Sequence, residues 1–385
     1  MLEILRVGAP AGRSVRHRRT AAAFLTLLSA LLLALPGWFS AAATDASSAQ
    51  LKVLTRNLYL GADLRPVLGA TDSASLIAAV TKVYAQVQAT DFPERAEALA
   101  DEIAASDPHL VGLQEVRLWR SQTPADLSPT PNATRVEYDF LQILIDELAL
   151  RGKHYAAVAT LTSTDRELPR SVPGGLQDIR LTDRDVILAR TDLPTKQFSV
   201  TNAQQGLFQA RFVIPHPALG NIAFPRGWSA VDATVHGRTV RVVNTHLEAA
   251  APAVQVRQGN ELLGGPLGTA LPTVLLGDLN SAAGGVGAVP GSTGTPTLGN
   301  LLAAGFHDVW IDSHRKNPGF TCCQAADLRN ATSTLSQRID YVLFRNGITA
   351  VTAGRVGEEE GDRTASGLWP SDHAGVRAVL RLPQR

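Results

Sequence analysis

Polar side chains that suit phosphoryl chemistry follow four widely spaced apolar runs of this 385-residue chain. In chain order the runs read LVGLQEV, VVNTHLEA, LLGDLNS and RIDYVLF, the last leading to PSDHAGV. A buried strand that ends in a polar side chain delivers that side chain to the edge of its sheet. Together with the earlier run LKVLTRN, these strings offer eight candidate residues: Asn57, Glu115, His246, Asp278, Asn280, Asp340, Asp372 and His373.

These residue types indicate a metal-assisted hydrolysis. Carboxylate and carboxamide oxygens are hard ligands, which suit Mg²⁺ or Mn²⁺ and not Zn²⁺, since zinc prefers nitrogen and sulfur. Histidines beside such a cluster transfer protons near neutral pH. A phosphodiester is already negative, so the attack of water on it needs a cation that masks charge and an imidazole whose tautomer is fixed by a carboxylate. The pattern therefore predicts metal-assisted attack of water on a phosphoryl group.

The LLGDLNS string is the best defined of these motifs. We expect Leu275 and Leu276 to be buried and Gly277 to allow a tight exit from the strand. Asp278 and Asn280 should then share one face, because side chains alternate along a strand. Taken alone, each motif also fits an ordinary strand-end turn, in which Asp and Asn are common. It is the joint occurrence of all the strings, in one order, that favours a site.

Strand and helix patterns alternate around these strings from residue 51 onward without a long linker, which indicates one domain. Strands are expected at residues 51–57, 109–116, 154–164, 185–191, 272–280, 338–346 and 374–382, with a hairpin at 228–247 that turns at His236-Gly237. Helices are expected at residues 73–88, 92–106 and 135–152. Residues 117–134 and 281–297 are rich in turn-forming residues and follow site candidates, so we expect substrate-contacting surface loops there.

Residues 1–43 have the composition of a secretory signal peptide. Arginines between Arg13 and Arg19 precede an apolar run, which contains Pro36 and leads into three alanines at 41–43. A membrane anchor is the alternative, but the proline and the small residues favour cleavage. Residues 44–50 would then form a short polar leader and residues 51–385 a single domain. We expect a secreted or extracytoplasmic protein with no transmembrane anchor after cleavage.

The charge balance argues against a protein that holds nucleic acid mainly through its phosphates. The chain has 36 basic and 35 acidic residues, a formal net charge of +1. Cleavage after residue 43 removes five arginines and one glutamate, which changes the formal net charge to −3. A basic footprint is therefore absent. A nuclease is still compatible with this charge, because cations in the cleft would offset its acidity. Nothing in the sequence implies a stable protein partner.

The two cysteines, Cys322 and Cys323, are neighbours in the sequence. In an exported protein they would meet an oxidising environment. Adjacent α-carbons lie about 3.8 Å apart, below the usual disulfide range of about 4.4–6.8 Å. The sequence therefore favours two thiols over a vicinal disulfide, although both fit. Two sulfurs alone do not indicate a zinc site.

The ordered strings resemble the endonuclease/exonuclease/phosphatase superfamily, which includes deoxyribonuclease I, apurinic endonucleases, inositol phosphatases and neutral sphingomyelinases. The resemblance covers the chain from about Leu51 to the C-terminus. It implies a four-layer α/β sandwich, in which two mixed β-sheets pack face to face with helices outside. It also implies a bound Mg²⁺ or Mn²⁺ and a phosphodiester substrate, either a nucleic acid or a phospholipid head group.

The resemblance also implies roles for the candidates on the metal side of the site. Asn57 and Glu115 match the metal-binding pair, and Asp372 is implied to lie near the metal. Asp278 and Asn280 match a pair that positions water and steadies the phosphoryl oxygens.

On the proton-transfer side, His373 matches the family's base and Asp340 the aspartate that orients it, which requires their strands to be adjacent. His246 matches a second histidine, which assists the departure of the leaving group. Asp183 and Asp185 compete as the acidic partner of that histidine, and the sequence does not choose between them. Arg226 precedes the strand at which nucleases of the family place a phosphate-contacting arginine.

Three functional hypotheses follow from the residues and the resemblance. The first is a secreted, metal-dependent nuclease or general phosphodiesterase. The second is a sphingomyelinase-like phospholipase C, because LTRNLY and VVNTHLEA look closer to bacterial sphingomyelinases, although no exposed hairpin with paired aromatic residues is evident in the sequence. The third is a catalytically silent binding protein of the same fold, which is disfavoured because every expected catalytic position is filled.

Overall fold

The strands of this chain form two large mixed sheets and one short hairpin. A computed structural model describes residues 49–283 and 295–384. The strands within these ranges are β1 (Gln50–Asn57), β2 (Leu110–Gln114), β3 (Leu118–Gln122), β4 (Arg135–Asp139), β5 (Tyr155–Val172), β6 (Gly175–Arg190), β7 (Phe198–Leu207), β8 (Phe212–His216), β9 (Gly220–Phe224), β10 (Gly227–Val235), β11 (Arg238–His246), β12 (Thr273–Asp278), β13 (His307–Asp308), β14 (Asp340–Arg345), β15 (Thr349–Val356) and β16 (Gly375–Arg381).

Each large sheet combines parallel and antiparallel pairs. The first, sheet A, has the order β15-β16-β1-β2-β6-β3-β4, with β5 paired to β6. The second, sheet B, has the order β13-β14-β12-β11-β10-β7, and β8 pairs with β9 alone. The parallel pairs are β1 with β2 in sheet A and β11 with β12 in sheet B. Both parallel pairs are central, where their strands are covered on both faces.

Helices cover the outer faces of both sheets. Those of the described ranges are α1 (Arg65–Leu68), α2 (Ser73–Ala89), α3 (Phe92–Ser106), α4 (Phe140–Leu150), α5 (Pro252–Gly264), α6 (Thr297–Ala303) and α7 (Val309–Ser313), with a 3₁₀ turn at Glu360–Asp362. Asp72 caps α2 by accepting a hydrogen bond from the amide of Ser75 at 2.8 Å. Such a cap satisfies an amide that the first helical turn leaves without a partner. Pro93 lies in the first turn of α3, as predicted.

Three apolar clusters define four layers. The cluster between the sheets joins Val53 and Ile187 of sheet A to Val242 and Leu276 of sheet B. A second cluster packs α2, α3 and α4 on sheet A, and a third packs α5 and α6 on sheet B. Burial of each such aliphatic side chain contributes about 1.5–3 kcal/mol to folding. The predicted four-layer α/β sandwich is confirmed.

Four of the predicted elements, namely a helix, a loop and two strands, are wrong in part. Residues 135–139 were expected to begin a helix, but they form β4, which pairs with β3, and the helix begins only at Phe140. Asp139 explains the boundary, because its side chain accepts from the amides of Leu141 and Gln142 and so caps α4. The expected loop at 117–134 contains β3, and β5 with β6 forms a much longer hairpin than the two separate strands predicted.

The predicted signal peptide at residues 1–43 lies outside the described residues, as do most of the polar leader and most of the predicted loop at 281–297. All described residues fall within one structural unit, which spans Ala46–Arg385. The assignment of a signal peptide followed by a single domain therefore stays a prediction. None of the helices in the described ranges has the length and hydropathy that a membrane span requires.

Candidate active site

Strand register places the polar ends of sheet B side by side. In the parallel pair β11–β12, His246 lies opposite Asp278. In the antiparallel pair β12–β14, Asp278 lies opposite Asp340. The pairing of β10 with β11 sets Gly227 opposite His246, so Arg226, the residue before it, lies at the same edge. Three motifs that are far apart in the sequence thus form one row of side chains.

Sheet A brings its own polar ends to this row. The parallel pairing of β1 with β2 sets Asn57 opposite Gln114, and Glu115 follows directly. Glu115 has a positive φ of 57°, and one of its carboxylate oxygens accepts from the amide of Leu60 at 2.7 Å. His373 precedes β16, which is the antiparallel neighbour of β1. The two facing sheets therefore present their functional side chains at one common edge.

Buried amides fix the two sheets to each other beneath this edge. Gln114 of sheet A donates to the side-chain oxygen of Asn244 of sheet B at 2.6 Å, and Asn244 donates to the carbonyl of Leu113 at 3.0 Å. Gly112 makes room for the contact, because a β-carbon there would lie 2.7 Å from the Asn244 oxygen. A buried polar pair with satisfied hydrogen bonds specifies how the two layers align.

Asn57 links the acidic groups of the two sheets. Its side-chain nitrogen donates to Asp278 at 3.2 Å and lies 3.4 Å from Glu115 Oε1. Its side-chain oxygen accepts from the amide of Tyr59 at 2.9 Å. Asn57 therefore lies close to Glu115, with which the resemblance pairs it, and between carboxylates from different sheets.

The LLGDLNS string behaves largely as predicted. Leu275 and Leu276 are buried, and a β-carbon on Gly277, whose φ is 149°, would lie only 2.1 Å from the carbonyl oxygen of the neighbouring strand. The expected alternation does not continue to Asn280, because that residue has a φ of 48° and lies in a turn. Its amide donates to Asp278 Oδ1 at 2.9 Å, and its side chain donates to the carbonyl of Leu247 at 3.0 Å.

Asp278 stands at the centre of the site, with only 1% of its surface exposed. Its Oδ2 lies 3.5 Å from Nε2 of His246 and 3.9 Å from Nε2 of His373. Burial raises the pKa of Asp278 to about 7, and the negative charge of Asp340 acts in the same direction. The pKa of this carboxyl therefore falls in the range at which a group can accept a proton at neutral pH.

His373 and Asp340 form a buried hydrogen-bonded pair, with 2.8 Å between Nδ1 and Oδ2. Their strands adjoin, as expected, but they face each other across the two sheets and are not paired within one sheet. β14 belongs to sheet B and β16 to sheet A, and the pair forms across the space between the sheets because both strands meet the same edge. Burial alone would lower the pKa of His373, but the charges of Asp340 and Asp372 outweigh burial and hold it well above the ordinary value.

The imidazole of His246 is held by an arginine. Its Nδ1 lies 3.0 Å from Nη1 of Arg226, which can only donate, so the neutral ring carries its proton on Nε2, facing Asp278. Burial lowers the pKa of His246 well below the ordinary value, and the charge of Arg226 lowers it further. Within the described part of the chain, the ring nitrogens of His246 thus contact Arg226 and Asp278 rather than Asp183 or Asp185.

Arg117 is a site residue that sequence reasoning missed. Its guanidinium lies 2.5 Å from Asp183 and 3.5 Å from Glu115, and the other oxygen of Asp183 accepts from Ser163 at 2.9 Å. This ion pair accounts for Asp183. The available signal was an arginine only two positions after Glu115, in a turn between two strands.

Two further arginines, also missed, donate to backbone carbonyls at or near the site residues. Arg56 is fully buried, forms an ion pair with Glu102 at 2.9 Å and donates to the carbonyl of His373. Arg95 donates to the carbonyls of Leu58 and Pro370, at 2.7 and 2.8 Å. An arginine inside an otherwise apolar strand, as in LKVLTRN, was the signal for the first of them.

The oxygen donors at this edge fit a hard divalent cation. The side chain of Asn57 contacts the carboxylates of Glu115 and Asp278, and the carboxylate of Asp372 lies 3.9 Å from Nε2 of His373. Burial raises the pKa of Asp372 to about 6, and the charge of Glu115 raises it against the opposing effect of His373. Carboxylates held this close repel each other, and a bound cation would relieve that repulsion. Ligation by Asn57 requires its amide to turn over, since the nitrogen now faces the carboxylates.

A second grouping of ligand atoms overlaps this one. Asp278, Asp340 and His373 each offer an atom within 4.8 Å of the others. The facing atoms of Asp340 and His373 are already used by their mutual hydrogen bond. The side-chain oxygens of Glu115, Asn57 and Asp372 lie outside this hydrogen bond and are the remaining candidates for holding a cation.

The two cysteines border the site. The structure joins Cys322 to Cys323 as a vicinal disulfide, whereas the sequence favoured two thiols. Cys322 also forms an isolated β-bridge with His373. Because the sulfurs are bonded to each other, they are not thiolate ligands for a metal.

Comparisons with known proteins agree with this architecture. The model of the Endonuclease/Exonuclease/phosphatase family matches residues 72–373, well over half of the chain. A solved Bacteroides thetaiotaomicron protein described as endonuclease/exonuclease/phosphatase family has a TM-score of 0.53 at 16% identity, covering 87% of this chain and 98% of that one. A Leptotrichia buccalis protein described in the same words has a TM-score of 0.52 at 14% identity, covering 85% and 98%. Among curated proteins no match was found.

Proposed function

The chain belongs to the endonuclease/exonuclease/phosphatase family, and we propose that it is a secreted hydrolase of phosphodiester bonds that depends on Mg²⁺ or Mn²⁺. Members of this family are generally hydrolases of phosphoester bonds and typically require a divalent metal. The finer statements about this chain, namely its substrate, its metal and its export, are our proposals. The stretch that resembles a signal peptide supports export.

One observation carries the proposal. Side chains from both sheets meet at one sheet edge, although some of them, such as Asn57 and His373, lie far apart in the sequence. Carboxylates, an amide and two imidazoles are in contact range there. A set of buried like charges of this size costs free energy of folding unless a ligand or cation compensates it. Its presence in a family of phosphoester hydrolases supports a catalytic role.

Each residue has a chemical task in this proposal. Glu115, Asp372 and Asn57 would hold the cation, which masks phosphate charge and stabilises the leaving oxygen. His373, oriented by Asp340, accepts the proton of the attacking water once it has lost its own.

The neutral His246 can donate from Nε2 to a phosphoryl or leaving oxygen, while Arg226 fixes its tautomer. Arg226 and Asn280 are proposed to contact the phosphate. Asp278 is the alternative base, because its raised pKa also suits proton transfer near neutral pH.

Nucleic acid or a small phosphodiester is the first substrate class. A phospholipid head group is the second candidate, and a cavity of about 440 Å³ supports it. This mainly apolar cavity, lined by Leu64, Tyr84, Trp119 and Leu181 among others, has the character of a site for alkyl groups.

The structure does contain a hairpin with paired aromatics, which the sequence did not make evident. Phe212 and Phe224 of β8–β9 stack at 5.6 Å. However, Ala218 and Leu219 at its tip pack against Leu76 and Val80 of α2, so the tip is not free to enter a membrane surface.

A substrate panel tests the proposal. Plasmid DNA, sphingomyelin vesicles and a chromogenic bis(nitrophenyl) phosphate are each incubated with the parent protein and with Glu115→Gln, with and without chelator. Hydrolysis of one substrate by the parent alone, lost in chelator, supports the proposal and identifies the substrate class. Metal-replete parent protein that hydrolyses none of the three contradicts it and favours a silent binding protein.

A further inference from the structure

A four-residue segment, Thr321–Gln324, runs between the parts of the chain that carry Asp340 and His373. We call it the strap. It belongs to neither sheet, yet Cys322 within it forms isolated β-bridges with both Gln337 and His373. The strap therefore contacts sheet B on one side and the chain entering sheet A on the other.

Thr321 makes the contacts on the Asp340 side. It is fully buried, and its hydroxyl oxygen accepts from the amides of Ile339 and Asp340, at 3.1 and 3.2 Å. Its own amide donates to the carbonyl of Gln337 at 2.7 Å. Three hydrogen bonds thus join one threonine to the start of β14.

The same strap makes contacts on the His373 side. The carbonyl of Thr321 accepts from the amide of Ala374 at 2.7 Å, and the amide of Gln324 donates to the carbonyl of Asp372 at 2.8 Å. The residues on both sides of His373 are thereby attached to the strap. Since β14 and β16 are not neighbours in a sheet, no ladder of backbone hydrogen bonds joins them directly.

We propose that Thr321 is a positioning residue, which sets the distance between the carboxylate of Asp340 and the imidazole of His373. This inference rests on the proposed function, because it concerns the same proton transfer. The hydroxyl is the specific element, since it accepts from the amide of Asp340, whereas the backbone contacts of the strap do not depend on the side chain. Thr321 touches no reacting atom, so its effect is expected in kcat and not in KM.

The test compares Thr321→Val with Thr321→Ser in the full-length protein. Valine keeps the shape but leaves two buried amides without an acceptor, whereas serine keeps the hydroxyl. A misplacement of catalytic groups by about 1 Å can lower a rate 10²-fold, so we expect kcat of the valine variant to fall by roughly 10–10²-fold. KM should stay within about twofold, and serine should restore most of the rate.

Thr273→Val is the matched control. Thr273 is equally buried, and its hydroxyl donates to the carbonyl of Leu271 at 2.8 Å, at the end of β12 remote from Asp278. The Thr273→Val variant loses a hydroxyl group at a place outside the strap. We expect it to lose thermal stability comparably while keeping kcat.

A readout that needs no substrate separates this inference from the proposed function. The proton on Nδ1 of His373, bonded to Asp340, should give a low-field proton resonance in NMR, identified by its absence in Asp340→Asn. It should vanish or broaden in Thr321→Val and remain in Thr321→Ser and Thr273→Val. If the parent lacks activity but this pattern holds, the proposed function fails and the positioning role stands. Any of three results would overturn the inference. These are an unchanged resonance in Thr321→Val, a kcat of Thr321→Ser no higher than that of Thr321→Val, and an equal loss of kcat in Thr273→Val.

Discussion

Nδ1 of His373 lies 2.8 Å from the carboxylate of Asp340, although the two residues come from different sheets. Side chains hold the backbone of both residues: the guanidinium of Arg56 donates to the carbonyl of His373, and the hydroxyl of Thr321 accepts from the amide of Asp340. The pair is a direct consequence of the four-layer packing, since only facing sheets that end at one edge bring these strands together. In the proposed mechanism, proton transfer therefore depends on how the two sheets align.

Removal of His373 tests the pair as a unit. We expect His373→Ala to lower the rate roughly 10²–10⁴-fold, the usual effect of losing a positioned proton acceptor. Asp340→Asn should lower it in the same direction, because the imidazole loses its orienting charge. The double variant should be far less impaired than the product of the two single losses, since both act on one step. Urea unfolding of each variant checks that the fold survives, and losses that multiply would show that the two residues act independently.

The pH dependence of the rate distinguishes two candidate bases. A base works only when deprotonated, so the rate should rise with pH and be lost as pH falls through the pKa of the base. If His373 is the base, this acid limb should disappear in His373→Ala. If Asp278 is the base, the limb should instead move to higher pH, because the positive charge of His373 lowers the pKa of Asp278. The measurement is kcat/KM against pH for parent and variant at saturating metal.

Glu115→Gln should weaken metal binding without a matching loss of stability. The change keeps the shape of the side chain and removes one charge from the proposed cation site. Isothermal titration with Mg²⁺ or Mn²⁺, paired with thermal melts in chelator, measures both effects. Glu97→Gln is the matched control, because Glu97 is an exposed residue of α3. Superimposable metal titrations of Glu115→Gln and the control would remove Glu115 from the ligand set.

Much of the site could be predicted because it follows from local patterns. The apolar runs before Asn57, Glu115, His246 and Asp278 form largely buried strands. Three of these strands end at the polar residue that the pattern marks, and Glu115 directly follows the fourth. Alternation and turn chemistry act over a few residues, so the sequence contains them directly. The same holds for α3, whose limits match the prediction because Pro93 and the capping Asp91 define its start.

What the sequence did not reveal depends on partners far away in the chain. Arg117 meets Asp183 through the pairing of β3 with β6, and Thr321 contacts Asp340 from a segment that belongs to neither sheet. No local pattern specifies either contact. The segment 135–139 continues the apolar spacing of the helix after it but forms β4, because Val136 and Tyr138 suit a strand and the segment pairs with β3. The sequence predicted an acidic partner for His246, either Asp183 or Asp185. In the structure, the partner of its Nδ1 is Arg226.

The two cysteines are expected to be dispensable for the chemistry. Changing Cys322 and Cys323 together to serine should leave turnover within a few-fold. The hydrogen bonds that tie Cys322 to Gln337 use backbone atoms, so they do not depend on the sulfurs. Comparison of kcat and of the melting temperature for parent and double variant separates catalysis from stability. A collapse of kcat with an unchanged melting temperature would assign the sulfurs a role in the reaction.

The most direct test of the account is the metal dependence of phosphodiester hydrolysis. The parent protein, stripped of metal and checked by elemental analysis, is assayed on the substrate that the panel identifies, first in chelator and then with Mg²⁺ or Mn²⁺ restored. The oxygen-rich cluster of Glu115, Asp278, Asp372 and Asn57 predicts that activity is abolished without metal and returns on addition of either ion. Full activity in excess chelator, with metal content confirmed as nil, would contradict the account.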